Sequence, residues 1–217
     1  MNRWTGCQNL KENLKESKRN LKEPNVITAI RKKGYDVFEE DSKPFNLNII
    51  AIRSNDPKVN VFNDHMHLCW KYRGQWNDFN FPIPCDPGLY WLNHHEEINK
   101  MGTAIVKEGQ YKGLWKTGLH RGRYFALVQK NPVTVIRDYN NDDKIDLESG
   151  RIEQGHFGIN HDRGNASKES FKVGKWSAGC LVNPHPRIFE IEMEIFREAS
   201  KIWGDSFTLT LIKESDL

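Results

Sequence analysis

The chain has 217 residues, with 32 Lys plus Arg against 29 Asp plus Glu, a formal net charge of +3, and 37% hydrophobic residues. This composition fits one globular domain with a short appendage and supplies no net field that would make nucleic acid or an anionic membrane the expected partner. No stretch approaches the roughly 20 apolar residues of a membrane span, and Met1 to Lys22 lacks the apolar core of a signal peptide. Synthesis in the cytoplasm without an export signal is therefore expected, with action at a distance only after release or delivery. The four cysteines, Cys7, Cys69, Cys85 and Cys180, form no CxxC pair, which argues against a disulfide scaffold or a cysteine zinc site.

In chain order, Gln8 to Glu23 is rich in helix formers, with Leu10, Leu14 and Leu21 near one face, and Pro24 stops it. A second short helix is expected over Val26 to Lys33, ending at Gly34, so that residues 1–44 form a helical N-terminal segment and residues 45–217 the main domain. Beyond Gly34 the signals turn to β. Asn46 to Arg53, Val59 to Phe62, His65 to Tyr72 and Trp76 to Pro82 are short Ile-, Val- and aromatic-rich pieces between turn residues. Thr103 to Val106, Gln110 to Thr117, Tyr124 to Gln129 and Val133 to Asp138 continue the pattern. Ile188, Ile191, Ile195, Ala199 and Ile202 recur at helical spacing until Gly204, and Phe207 to Ile212 alternates as a final strand. The expected fold class is mainly β (α+β), a sandwich or barrel with one packed C-terminal helix.

Chemistry concentrates in Gly155 to Asn183, where histidine, serine, glycine and cysteine fall close together. A thiol of ordinary pKa, about 8.5, is only a few per cent ionised at pH 7, so a nucleophilic Cys180 needs a nearby base or cation. Lowering that pKa by about two units corresponds to about 2.7 kcal/mol of preferential thiolate stabilisation, within reach of one imidazole. Fifteen residues separate His161 from Ser177, enough for a loop that returns Cys180 to the histidine, and small Ala178 and Gly179 leave the sulfur approachable.

His161, fifteen residues, then Ser177-Ala178-Gly179-Cys180 resembles the histidine-to-cysteine motif of the L,D-transpeptidase (YkuD-type) family. Phe81 to Gly88 and Lys107 to Tyr111 resemble that family's upstream turns, and the likeness runs from about Asn46 to Ile212. The resemblance is greater to phage and bacterial relatives reading Gly-Ile-Asn-Ile-His-Arg and then Trp-Ser-Ala-Gly-Cys. It implies an L,D-transpeptidase-like β domain acting on peptidoglycan stem peptides through a thioester on Cys180, with no required cofactor. His161 is the expected base, Ser177 and Gly179 complete the motif, and the Gly179 and Cys180 N–H groups are expected to form the oxyanion hole. Arg163 would hold a substrate carboxylate and Trp176 would wall the cleft.

In the relatives' pattern the histidine stands fifth from the glycine, whereas here Asp162 is fifth and His161 fourth. Strict strand alternation would put Asn160 and Asp162 on one face and His161 on the other, while a bulge would re-aim His161. Asp162, His156 and His120 are the alternative site residues. The family's usual histidine before Gly-Cys is Ala178 here. A lysis protein of a phage or an injected effector fits a peptidase without an export signal. The other readings are a binding module that has lost its base, and a cysteine amidase acting on a cytoplasmic substrate.

Two weaker signals remain. Asp138, Asn140 and Asp142 alternate as in an EF-hand-type calcium loop, although Asp143 replaces the turn glycine and Ser149 the closing carboxylate. His65 and His67 share one face of a strand, and His94-His95-Glu96-Glu97 offers further zinc ligands without closing a set. Nothing in the sequence sets the oligomeric state.

Overall fold

A computed structural model describes residues 22–217. The helix expected from Gln8 onward lies outside the described residues as far as Leu21. The second expected helix forms as α1 (Asn25–Lys32), entered from Pro24 and closed at Gly34, whose φ of +77° an L side chain rarely adopts.

Eleven strands follow: β1 (Asn48–Arg53), β2 (Asp64–Tyr72), β3 (Gln75–Ile83), β4 (Thr103–Val106), β5 (Gly109–His120), β6 (Tyr124–Gln129), β7 (Val133–Asp138), β8 (Arg151–Gly155), β9 (His161–Arg163), β10 (Leu181–Asn183) and β11 (Phe207–Lys213). Two further helices are α2 (Leu89–Asn93) and α3 (Pro186–Trp203). The protein is mainly β. Eight strands form one mixed sheet in the order β10-β9-β6-β5-β11-β1-β2-β3, and β4-β7-β8 form a second. The pairs β1–β11 and β9–β10 are parallel and the other pairs are antiparallel.

The large sheet curls until its edge strands β10 and β3 approach each other, and the main core fills its inside. Met66, Leu68 and Phe81 enter it from β2 and β3, Leu114 and Trp115 from β5, and Leu209 and Leu211 from β11. Phe189, Met193, Ile195, Phe196 and Ala199 bring α3 onto the same core. On the other face of the sheet, Val26, Ile27, Ala29 and Ile30 of α1 cover Ile50, Ile52, Cys69, Trp76 and Ile212, so the sheet is apolar on both sides there. No helix among the described residues is long and apolar enough to cross a membrane.

One expected strand does not form. Val59 to Phe62 is irregular because Asn60 adopts a left-handed φ of +64°. Asn60 instead anchors the cysteine loop: its side-chain Oδ1 accepts the Gly174 N–H at 2.6 Å, and its carbonyl accepts the Val173 N–H at 3.2 Å.

Candidate functional site

The turn that presents Cys180 is fixed by its own serine. Ser177 is buried; its Oγ accepts the Gly179 N–H at 3.0 Å and donates to the Cys180 carbonyl at 2.7 Å. Gly179 has φ +136°, and a Cβ there would lie 2.2 Å from the Ala104 carbonyl oxygen, so only glycine fits. The Ser177 carbonyl in turn accepts the Gly88 N–H at 2.9 Å. The segment before Gly88 is pinned to β1 by Arg53, which is buried and paired with Asp86 at 3.1 Å and with Glu108. The Phe81 to Gly88 stretch thus forms the abutment of the cysteine loop.

Cys180 stands one residue before β10, and the parallel pairing of Leu181 with His161 and Val182 with Asp162 aligns it with Asn160. Trp115 Nε1 donates to the Ile159 carbonyl at 2.8 Å, while Gln129 Oε1 accepts the Phe157 and Ile159 N–H groups at 3.0 and 2.9 Å. Held this way, the strand enters without a bulge, and the side chains alternate from Asn160 to Asp162. Asn160 and Asp162 face a cleft of about 1250 Å³ together with Cys180, and His161 faces inward.

The expectation that His161 serves Cys180 as a base is therefore corrected. His161 is 0% exposed; its Nδ1–H donates to the Leu181 carbonyl at 2.6 Å, and its Nε2 lies 3.0 Å from Glu192 Oε2 on α3. That second contact is close but lies off the line of a good hydrogen bond. Asn183 Nδ2 donates to the other Glu192 oxygen at 3.1 Å, and Phe81, Trp115, Phe189 and Phe196 surround the ring. Burial opposes protonation of His161, but the Glu192 carboxylate outweighs it and raises the pKa; burial raises that of Glu192 as well. The pair is part of the core.

At the cleft floor the partner of Cys180 is Asp162. Burial pushes the Asp162 carboxyl up to about 7, partly offset by His161 and Arg121. Burial and then the Asp162 charge push the Cys180 thiol up to about 12, and the S–H donates to the Gly158 carbonyl at 3.3 Å. His120 Nδ1 lies 3.4 Å from Asp162 Oδ2 and 3.3 Å from Asn160 Nδ2. Burial, helped by the adjacent Arg121 charge, lowers the His120 pKa, so its ring is neutral at pH 7 and can orient the carboxyl.

The β5–β6 hairpin that carries His120 turns at Arg121 and Gly122, both left-handed at φ +49° and +69°. Two positive φ values match the right-handed twist of a tight hairpin, and arginine at the first is unusual. The tip places Arg121 and Arg123 on the cleft, where Arg163 and Lys175 also stand. Arg163 stacks over Tyr124 at 4.5 Å, and Trp176, 47% exposed, walls the opening. Asp162 is the one acidic residue of this basic lining. No family model, curated protein or solved structure matches the chain.

The remaining expected site residues lie as follows. His156 is on the cleft rim with Nε2 donating to the Lys130 carbonyl at 3.1 Å. The Gly179 N–H is spent on Ser177 Oγ, which corrects its expected oxyanion role. In the acidic loop, Asp138 accepts the Asp146 N–H at 3.0 Å and Asp142 the Lys144 N–H at 2.8 Å, as in a self-satisfied turn. Asn140 sits between Asp142 and Asp146. Sequence reasoning missed Arg121, Arg123 and Lys175; the His-Arg-Gly-Arg run of the hairpin tip was the available signal.

Proposed function

We propose that this chain is a cysteine-dependent peptidase or transpeptidase of L,D-transpeptidase type, acting on peptidoglycan stem peptides with Asp162 in the role a histidine usually fills. The observation that carries the reading is the meeting of Cys180 and Asp162 at the floor of a cleft lined by Arg121, Arg123, Arg163 and Lys175. A carboxyl with a pKa of about 7 is matched to proton transfer at neutral pH. The basic walls suit a substrate carrying several carboxylates.

In the first step, Asp162 takes the Cys180 proton as sulfur attacks the carbonyl carbon of an L-to-D peptide bond. The negative charge on oxygen meets the Cys180 N–H. Asp162 then returns its proton to the leaving amine as the C–N bond breaks, and a thioester remains on Cys180. Water attacks the thioester carbon, Asp162 again removing a proton, and the acid is released as the thiol is restored. An amine acceptor in place of water gives a cross-link.

The base form of Asp162 is the working form. kcat/KM for muropeptide turnover is therefore expected to rise about tenfold per pH unit below about 7 and to level off above it. Rates measured by mass spectrometry of muropeptides between pH 5 and 9 check this. A flat profile, or equal turnover by Cys180→Ala, would overturn the proposal.

A second reading, a binding module of the same fold, is favoured by the thiol lying near 12, almost wholly protonated at neutral pH. Its mark would be muropeptides retained without products at any pH, and retained equally by Cys180→Ala.

A further inference from the structure

On the face of the large sheet that α1 covers, three unlike donors converge. His67 and Cys69 lie two residues apart on β2, so their side chains leave the same face, and Asp78 of β3 pairs directly with Cys69. His67 Nδ1 is 2.9 Å from Asp78 Oδ1, and Cys69 Sγ is 3.5 Å from the same oxygen. All three donor atoms fall within 4.8 Å of one another, and no other group of His, Cys, Asp or Glu among the described residues does so. The geometry points to a transition-metal site formed by His67, Cys69 and Asp78, with zinc as the ion it suits.

Imidazole, thiolate and carboxylate form the mixed N, S, O set that zinc accepts, and ligand bonds of about 2.0–2.3 Å place tetrahedral donors about 3.3–3.7 Å apart. The observed separations need only small rotamer adjustments to reach that spacing. Cys69 is enclosed beneath α1, whereas His67 and Asp78 keep 16% and 24% of their side chains exposed, so an ion enters from their side. Water would complete a tetrahedral fourth place. Binding replaces the S–H proton and the His67–Asp78 hydrogen bond by three metal bonds. One proton leaves to solvent, and the two anionic ligands neutralise the divalent ion. The site clips β2 to β3 at the edge of the sheet and does not depend on the chemistry at Cys180.

Cobalt(II) chloride titrated into the metal-stripped full chain tests the assignment, because a thiolate bound to cobalt gives a near-ultraviolet charge-transfer band. One equivalent is expected to bind, zinc is expected to displace it, and apparent affinity is expected to rise about tenfold per pH unit as the thiol proton is released. The band should vanish in Cys69→Ser and persist in Cys180→Ala. Asp78→Asn and His67→Gln, changed at the exposed side, should weaken binding at least tenfold and keep the reading testable if Cys69→Ser does not fold. Absence of the band, its survival in Cys69→Ser, its loss in Cys180→Ala, or unchanged affinity in both exposed variants would overturn the site.

Discussion

Asp162→His is expected to raise the reactivity of Cys180 toward iodoacetamide at pH 7 by about a hundredfold. The thiol lies near 12 because it is enclosed and faces a carboxyl, so about one molecule in 10⁵ is ionised at pH 7. An imidazole at position 162 would accept the proton and stand as a cation beside the thiolate, bringing the thiol to about 8.5 or below. The ionised fraction would then grow by about 3,000. A less basic thiolate is also a weaker nucleophile, by a factor of about 30–50 over that span, which leaves a net gain of about a hundredfold. Asp162→Asn removes the charge without supplying a base and should give a much smaller rise. Alkylation followed by mass spectrometry, which separates the four cysteines, checks both. An unchanged rate in Asp162→His would mean that position 162 does not govern the thiol.

Glu192→Ala is expected to cost about 3–5 kcal/mol of stability, or a fall of roughly 10 °C in Tm. The substitution leaves the buried His161 without its charge partner, removes the acceptor of Asn183 Nδ2, and opens a cavity beneath α3. Glu192→Gln keeps an acceptor for Asn183 and a polar group facing His161, so its cost should stay within about 2 kcal/mol. Thermal unfolding of the two variants measures the difference. The alkylation profile of Cys180 should be the same in Glu192→Gln as in the parent protein, because the His161–Glu192 pair belongs to the core. A shifted profile would return His161 to the site.

The regular parts of this fold are legible because they repeat. Alternation marks β2, β3, β5 and β11, continuous apolar runs mark β1 and β6, and a capped stripe marks α3. β8, β9 and β10 have only 5, 3 and 3 residues, too few for a period to show. The buried face of α3 is also turned by one position from the isoleucine stripe: Phe189, Glu192 and Phe196 face inward while Ile191 is exposed. Glu192 is buried to meet His161, a pairing no apolar pattern reveals.

An approachable Cys180 was readable from small Ala178 and Gly179 before it, whereas Ser177 entered through the family resemblance. The expectation for His161 rested on a bulge that would re-aim it, and a strand of three residues carries no sequence mark of whether one forms. The parity of β9 decides that question, and it favours Asp162 once Trp115 and Gln129 hold the entering strand straight. The basic walls were hidden for another reason: Arg121 and Arg123 come from the β5–β6 turn, Arg163 from the end of β9 and Lys175 from the cysteine loop, and only the fold brings them together.

The pairing of Cys180 with Asp162 as an acyl-transfer site is tested most directly by trapping the intermediate. The protein would be mixed with muropeptides at pH 8, quenched in acid within seconds, and its intact and digested masses measured. The account predicts a thioester adduct on Cys180 of the parent chain, sharply reduced in Asp162→Asn and undiminished in Glu192→Gln. Muropeptide bound without any adduct or product, or an adduct formed equally by Asp162→Asn, would contradict it.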